Sequence, residues 1–223
     1  MTRPVKADGF QALLLDLDGT LIDTLPDISQ ALGRLLNDRG LELLDDTQLR
    51  RLVGGGTRAM LQAVCANAQL PWDEQWHEQY LRLYEQCLLN RSRPFDGVLA
   101  LLEHCRDRAL PMAVVTNKSQ AMASRLLDAL LPTIPFVTTV GASASRPLKP
   151  NPQGAFFAAA EIGASPECCL LLGDTQSDVL TARAAGMRAG AALWGYGSRQ
   201  SLMALSPHAV FEEPGQLASF LFD

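Results

Sequence analysis

Polar and apolar positions along the chain fall into two rhythms. Three short runs are almost continuously apolar, and each stops at small polar or acidic residues: ALLLDLDGT (residues 12–20), PMAVVTN (111–117) and CCLLLGD (168–174). Unbroken runs of this kind, rather than strict alternation, predict parallel strands covered on both faces. IPFVTTVG (134–141) and MRAGAALWG (187–195) are weaker runs of the same type. Between them a helical rhythm predicts helices over Gly97–Arg108, Lys118–Leu131, Asn151–Ile162 and Gln176–Ala185. Strands alternating with helices argue for an α/β fold with a doubly wound, Rossmann-like parallel sheet.

The stretch between the first and second strands is far too long for one crossover helix. It reads as four helices, Pro26–Arg39, Asp46–Val53, Thr57–Gln69 and Trp72–Asn90, broken at Gly40, at Gly54-Gly55-Gly56 and at Leu70-Pro71. The expected organisation is therefore a core domain of residues 1–23 and 93–223 carrying an inserted α-helical cap of residues 24–92. Such an insertion sits above the C-terminal edge of the sheet, where ligands bind in this class of fold. Within the last of these helices Trp72, Trp76 and Tyr80 share one face. They read as cap core or as a contact between cap and core.

Composition removes several classes of function. The 223 residues carry a net charge of -5, which speaks against nonspecific nucleic-acid binding. No run reaches the roughly 18 apolar residues of a membrane span. The first apolar run already contains Asp16 and Asp18, so it is not a secretory signal. Five cysteines without CxxC spacing fit reduced thiols in a cytoplasm, with Cys168 and Cys169 as small core residues. No histidine falls in a motif. A monomer or a homodimer is expected. Among 19 basic residues only Lys6, Lys118 and Lys149 are lysines, so each lysine outside the tail invites an explanation.

If the three strong strands are parallel, Asp16, Asp18, Thr116, Asn117 and Asp174 emerge at one edge of the sheet, with Asp178 one helical turn beyond. Converging carboxylates repel one another and cost free energy to bury. A hard divalent cation bound through oxygens resolves both problems, and Mg²⁺ suits a site where a phosphate adds further oxygens. Lys149 supplies a positive charge at the same edge. Each piece alone has a bland reading: a capped loop, a helix start, an ordinary turn. Their order and their common place after three apolar runs argue for a phosphate held on Mg²⁺.

Asp16-Leu17-Asp18-Gly19-Thr20, Thr116-Asn117, Lys149-Pro150 and Gly173-Asp174 through Asp178 resemble, in order, the four signature motifs of the haloacid dehalogenase superfamily. The resemblance runs from about Phe10 to Tyr196, and the insertion is similar to the small α-helical cap of that superfamily. It implies a nucleophile, Asp16, that forms an aspartyl-phosphate, and an acid and base, Asp18. It implies Mg²⁺ on the Asp16 carboxylate, the Asp18 main-chain carbonyl and Asp174, with Asp178 in support. Thr116 then bonds a phosphoryl oxygen, Lys149 neutralises charge, and Gly19, Thr20 and Asn117 line the phosphate site.

Dehalogenases of the superfamily lack the second aspartate of the first motif as an acid, so Asp18 favours phosphoryl transfer. Phosphonate hydrolases and sugar-phosphate mutases of this architecture use a cap lysine, and residues 24–95 contain none. A hydrolytic phosphatase acting on a small-molecule phosphate ester is what remains. Arg51-Leu52-Val53-Gly54-Gly55-Gly56, Thr116-Asn117-Lys118 and Trp194-Gly195-Tyr196-Gly197 resemble segments of the phosphoglycolate phosphatase branch. A glycine turn at a helix N-terminus can offer main-chain N–H groups to a carboxylate. Arg51 or Arg58 could add a charged hydrogen bond. Substrate-binding candidates are thus Arg51, Gly54, Gly55, Arg58 and Lys118, with 2-phosphoglycolate the first choice. Sugar phosphates or pyrophosphate are the alternative, and a phosphomutase or a catalytically silent binding module a more distant one.

Overall fold

A computed structural model describes residues 9–222. The first eight residues, Lys6 and the start of the expected core among them, lie outside the described residues, as does Asp223. Six strands form one parallel sheet in the order β5-β4-β1-β6-β7-β8: β1 (Ala12–Leu15), β4 (Met112–Ser119), β5 (Phe136–Ala142), β6 (Cys169–Gly173), β7 (Arg188–Ala192) and β8 (Ala209–Phe211). Strand order reverses around β1, which pairs with β4 on one side and β6 on the other. In an open α/β sheet this reversal opens a crevice at the carboxyl ends of the strands.

The continuous apolar runs behave as two interleaved faces. Leu13, Leu15, Met112, Val114, Leu170 and Leu172 join one core cluster, with α5 (Val98–Asp107), α6 (Gln120–Leu130) and α10 (Pro214–Phe222) over them. Ala12, Leu14, Ala113, Val115, Cys169 and Leu171 join the other, under α7 (Gln153–Ile162) and α8 (Gln176–Ala184). Small residues on α7, namely Gly154, Ala155, Ala158 and Ala159, are buried and let that helix lie close to the sheet. Cys169 is buried as expected, whereas Cys168 sits half-exposed in a short helical turn before β6.

Helices α1 (Leu25–Asn37), α2 (Asp46–Arg50), α3 (Thr57–Asn67) and α4 (Glu74–Cys87) occupy the stretch between β1 and α5. Leu25, Ile28, Ala31, Leu32, Leu35 and Leu36 make the buried stripe of α1. It packs with Trp76, Tyr80, Tyr84 and Cys87 of α4 in the same cluster as the first sheet face. The α2 helix stops at Arg50, short of the expected Val53, because the backbone turns toward Gly54 at φ +111. That conformation favours glycine.

Two features beyond the reach of periodicity join this helical stretch to the sheet. Ile22 and Asp23 (β2) pair antiparallel with Pro94 and Arg93 (β3), bringing the two ends of the insertion side by side. Beside them Asp27, wholly buried in the first turn of α1, accepts from the main-chain N–H groups of Arg91 (3.0 Å) and Ser92 (2.8 Å) and from the Ser92 hydroxyl (2.7 Å). A buried carboxylate is tolerable only when its oxygens are satisfied in this way. Replacing Asp27 with alanine strands those donors, so urea unfolding of Asp27→Ala should show a loss of about 2–4 kcal/mol. Stability equal to the unaltered protein would mean that the clasp contributes nothing.

Candidate active site

The crevice at β1 is built from strand ends. After Leu15 the chain makes a tight turn in which the N–H groups of Leu21 and Ile22 both bond the Leu17 carbonyl at 3.0 Å. Gly19 adopts φ +84 there, and a Cβ on it would lie 2.3 Å from Asp174 Oδ2. Only glycine allows the first loop to approach the end of β6 so closely. Gly173 and Gly195 serve the same purpose. A Cβ on Gly173 would meet Asp178 at 2.2 Å, and one on Gly195 would meet the Gly19 carbonyl at 2.2 Å and Asp174 at 2.4 Å.

Buried carboxylate oxygens of Asp16, Asp174 and Asp178 come within 4.8 Å of one another. Lys149 Nζ stands among them, 2.8 Å from Asp16 Oδ1, hydrogen-bonded to Asp178 Oδ1 and to the Val115 carbonyl at 2.9 Å. Burial opposes the Lys149 charge, but Asp16 and Asp178 outweigh it and hold the ammonium above its ordinary pKa. Burial pushes Asp16 up to about 6; Lys149 pulls it back, while Asp178 and Asp18 add to the rise. Burial likewise pushes Asp174 up to about 8, reinforced by the charges of Asp16 and Asp178. One ammonium does not neutralise three carboxylates at this spacing.

The three carboxylates differ in how far they are already engaged. Asp178 Oδ2 takes the Thr175 N–H (2.9 Å) and hydroxyl (2.6 Å) and so caps α8. Asp174 accepts from the Thr20 hydroxyl (2.9 Å) and the Tyr196 N–H (2.8 Å). Asp16 Oδ1 has only the Lys149 ammonium beside it, at 2.8 Å. Oxygen ligands and excess negative charge at the floor fit a hard divalent cation.

Asp18 lies outside this cluster. Its carboxylate accepts from the Thr24 hydroxyl (2.6 Å) and from Lys118 Nζ (2.9 Å and 3.1 Å), and Lys118 in turn donates to the Tyr84 hydroxyl (2.7 Å). Thr116 accepts the Lys118 N–H through its hydroxyl oxygen at 3.2 Å and lines the cavity beside Asp16. Asn117 is spent internally. Its amide donates to the carbonyls of Gly54 (2.9 Å) and Lys149 (3.2 Å), and its oxygen accepts the Lys149 N–H (2.7 Å). Its visible work is to tie the insertion and the Lys149 loop to β4, and Thr20 is likewise engaged by Asp174 rather than left free for a phosphate.

The proposed substrate residues of the insertion divide. Gly54 packs on Thr175, 2.9 Å from a notional Cβ, so the glycine run meets the turn between β6 and α8. Gly54, Gly56 and Thr57 line a cavity of about 40 Å³ whose floor is Asp16 and Asp18 and whose walls include Ile28, Val53, Met60, Tyr80 and Tyr84. Arg51 and Gly55 face a separate groove beside Thr175 and Ser198. Arg58 is exposed and pairs with Glu74, away from the cavity.

Sequence reasoning missed Tyr84, and it ranked Tyr196 only as part of a resembling segment. Tyr196 OH accepts the N–H groups of Thr24 (2.7 Å) and Leu25 (3.0 Å) and donates to Asp23 (3.0 Å). One residue therefore orients Asp174 through its own N–H and caps α1 through its hydroxyl. Tyr84 continues the Trp72, Trp76, Tyr80 spacing by one more helical turn, a signal that was available.

Comparison with known proteins agrees with this geometry. A family model described as haloacid dehalogenase-like hydrolase matches residues 13–192. The chain is 36% identical to a phosphoglycolate phosphatase of Xanthomonas campestris pv. campestris over 83% of this chain and 84% of that one. It is 29% identical to a phosphoglycolate phosphatase of Aquifex aeolicus over 95% and 96%. The crystal structure of a predicted phosphoglycolate phosphatase from Haemophilus somnus superposes with a TM-score of 0.86 at 25% identity, over 95% of this chain and 97% of that one.

Placing a methyl group at Gly195 tests how strictly the Asp174 loop is packed. Gly195→Ala must push Asp174 or the Gly19 turn aside, and overpacking of this kind costs roughly 1–3 kcal/mol. Hydrolysis of any accepted phosphate ester should fall by about tenfold or more, because a small displacement of reacting groups is felt strongly. Unaltered turnover would show that the loop yields without disturbing the carboxylates.

Proposed function

The chain belongs to the haloacid dehalogenase-like hydrolase family and is a phosphoric monoester hydrolase; we propose that it hydrolyses 2-phosphoglycolate with Mg²⁺ through an aspartyl-phosphate on Asp16. The observation that carries this reading is the small cavity whose lining brings together the Asp16 and Asp18 carboxylates, Lys118 and the opening turn of α3. A small cavity lined by a lysine and by the start of a helix suits a small ester that carries more than one anionic group. Relatives named phosphoglycolate phosphatase, one of them 36% identical, support the choice. The same family resemblance supports a helical cap over residues 24–92, placed above the β1 crevice.

Mg²⁺ would be held by Asp16, Asp174 and the Asp18 main-chain carbonyl, with Asp178 behind them. When bound, it supplies the positive charge that lets a carboxylate nucleophile approach a phosphate dianion. Asp16 attacks phosphorus in line, forming its C–O–P bond as the ester oxygen leaves. Asp18 gives that oxygen a proton, then takes one from the water that attacks the phosphorus of the intermediate. Thr116 donates its hydroxyl to a phosphoryl oxygen. Lys149 keeps Asp16 oriented and offsets charge on the transferring group. Lys118 pairs with Asp18, and an arriving phosphate competes for that ammonium, so binding itself loosens Asp18 for proton transfer.

Phosphate release should be followed across 2-phosphoglycolate, sugar phosphates, nucleotides and pyrophosphate, with Mg²⁺ and then with EDTA. A marked, Mg²⁺-dependent preference for 2-phosphoglycolate is expected, and release spread over sugar phosphates would retain the mechanism and overturn the substrate. Asp16→Asn should fold normally and lose at least about a thousandfold in rate. Retained turnover would remove Asp16 as nucleophile. Mg²⁺ added to EDTA-treated protein should also raise the thermal midpoint, since binding to the folded state alone stabilises it. Asp174→Asn should blunt that rise; an equal rise in the variant would place the cation elsewhere.

A further inference from the structure

Tyr80 carries an anomaly inside the same cavity. The residue is 0% exposed and lines the space above Asp16 and Asp18, yet its hydroxyl meets no hydrogen-bond partner. Its neighbour Tyr84, stacked against it with ring centroids 5.7 Å apart, has its own oxygen occupied by Lys118. A buried hydroxyl without a partner costs stability, and a phenylalanine would fill the same space without that cost. Burial first, then the charges of Tyr84, Asp18 and Cys87, raises the Tyr80 phenol well above its ordinary pKa, so it stays a donor. It is a proton donor in search of an acceptor.

Across the cavity the 11-residue helix α3 starts at Thr57 with Gly56 as its N-cap. Glycine has no side chain to satisfy the orphan N–H groups of the first turn, and no acidic residue stands there. Gly56 and Thr57, at the positive end of that helix, line the cavity. Thr57 is itself steadied by a 2.9 Å contact between its hydroxyl and His77 Nε2. Two independent features, an unpartnered phenol and an open helix start, thus converge on one small space above the nucleophile. Both are donors, and a carboxylate accepts from both at once.

We propose that the Tyr80 hydroxyl and the main-chain N–H groups opening α3 together bind the carboxylate of the substrate, making Tyr80 the residue that distinguishes carboxylated phosphate esters from neutral ones. This rests on the reading of the site as one for 2-phosphoglycolate.

The test compares 2-phosphoglycolate with ethyl phosphate, which keeps the two-carbon ester and lacks the carboxylate, in the full chain with Mg²⁺. Loss of one hydrogen bond to a charged acceptor lowers binding by about ten- to a hundredfold. In Tyr80→Phe the ratio of kcat/KM for 2-phosphoglycolate to that for ethyl phosphate should fall by that factor, mainly through KM. The thermal midpoint should stay level or rise. An unchanged ratio, in a protein whose unaltered form prefers 2-phosphoglycolate, overturns the Tyr80 assignment and leaves the substrate standing. Equal turnover of both esters by the unaltered protein overturns the substrate reading itself. A lowered midpoint would show that the hydroxyl is bonded within the protein, which also overturns the assignment.

Discussion

Everything at the crevice depends on a surplus of buried negative charge that one lysine only partly offsets. Asp16, Asp174 and Asp178 lie too close and too deep to be comfortable together, and Lys149 touches two of them. Removing one partner from such a cluster would leave uncompensated buried charge, which is why the arrangement is so heavily braced. Thr175, Thr20 and the Tyr196 N–H each hold one carboxylate in place. The bracing restricts where the oxygens point. The remaining imbalance is what a cation and a phosphate together relieve.

The same constraint explains the glycines. Carboxylates from separate strand ends meet only if the loops carrying them come nearly into contact. Gly19, Gly173, Gly195 and Gly197 are points of close approach, where any side chain would strike Asp174, Asp178 or the Gly19 carbonyl. Gly54 does the corresponding work between the helical insertion and Thr175. Close backbone approach thus serves both the charge cluster and the seating of the helices above it. Asn117 joins the two by bonding Gly54 and Lys149 with a single amide.

The attachment of the insertion is polar where its packing is apolar. Asp27 clasps the returning chain at Arg91 and Ser92, and Tyr196, from the loop after β7, caps α1. These bonds hold the cavity walls, Ile28 on α1 and Tyr80 and Tyr84 on α4, at a set height above Asp16 and Asp18.

Much of the parallel sheet and its helices was legible in the sequence, because strand character, helix periodicity and glycine breaks are local properties of short segments. The order of the polar strand ends was legible too, since parallel strands send their carboxyl ends to one edge. What the sequence did not disclose depends on contacts between distant segments. The two-residue ribbon of Ile22–Asp23 with Arg93–Pro94 is too short to carry a period. The cap of α1 is a hydroxyl from Tyr196. Asn117 and Thr20, assigned to phosphate by their place in motifs, turn their polar atoms to Lys149, Gly54 and Asp174. Arg58, assigned by its charge, points its guanidinium at Glu74. Tyr80, assigned to the core by its spacing, is buried as that spacing implies, yet which wall it forms and what its hydroxyl meets were settled only by how α4 packs. Local pattern determines which residues are buried, because burial follows the apolar stripe. Which donor faces which acceptor follows from packing, and only the tertiary structure decides that.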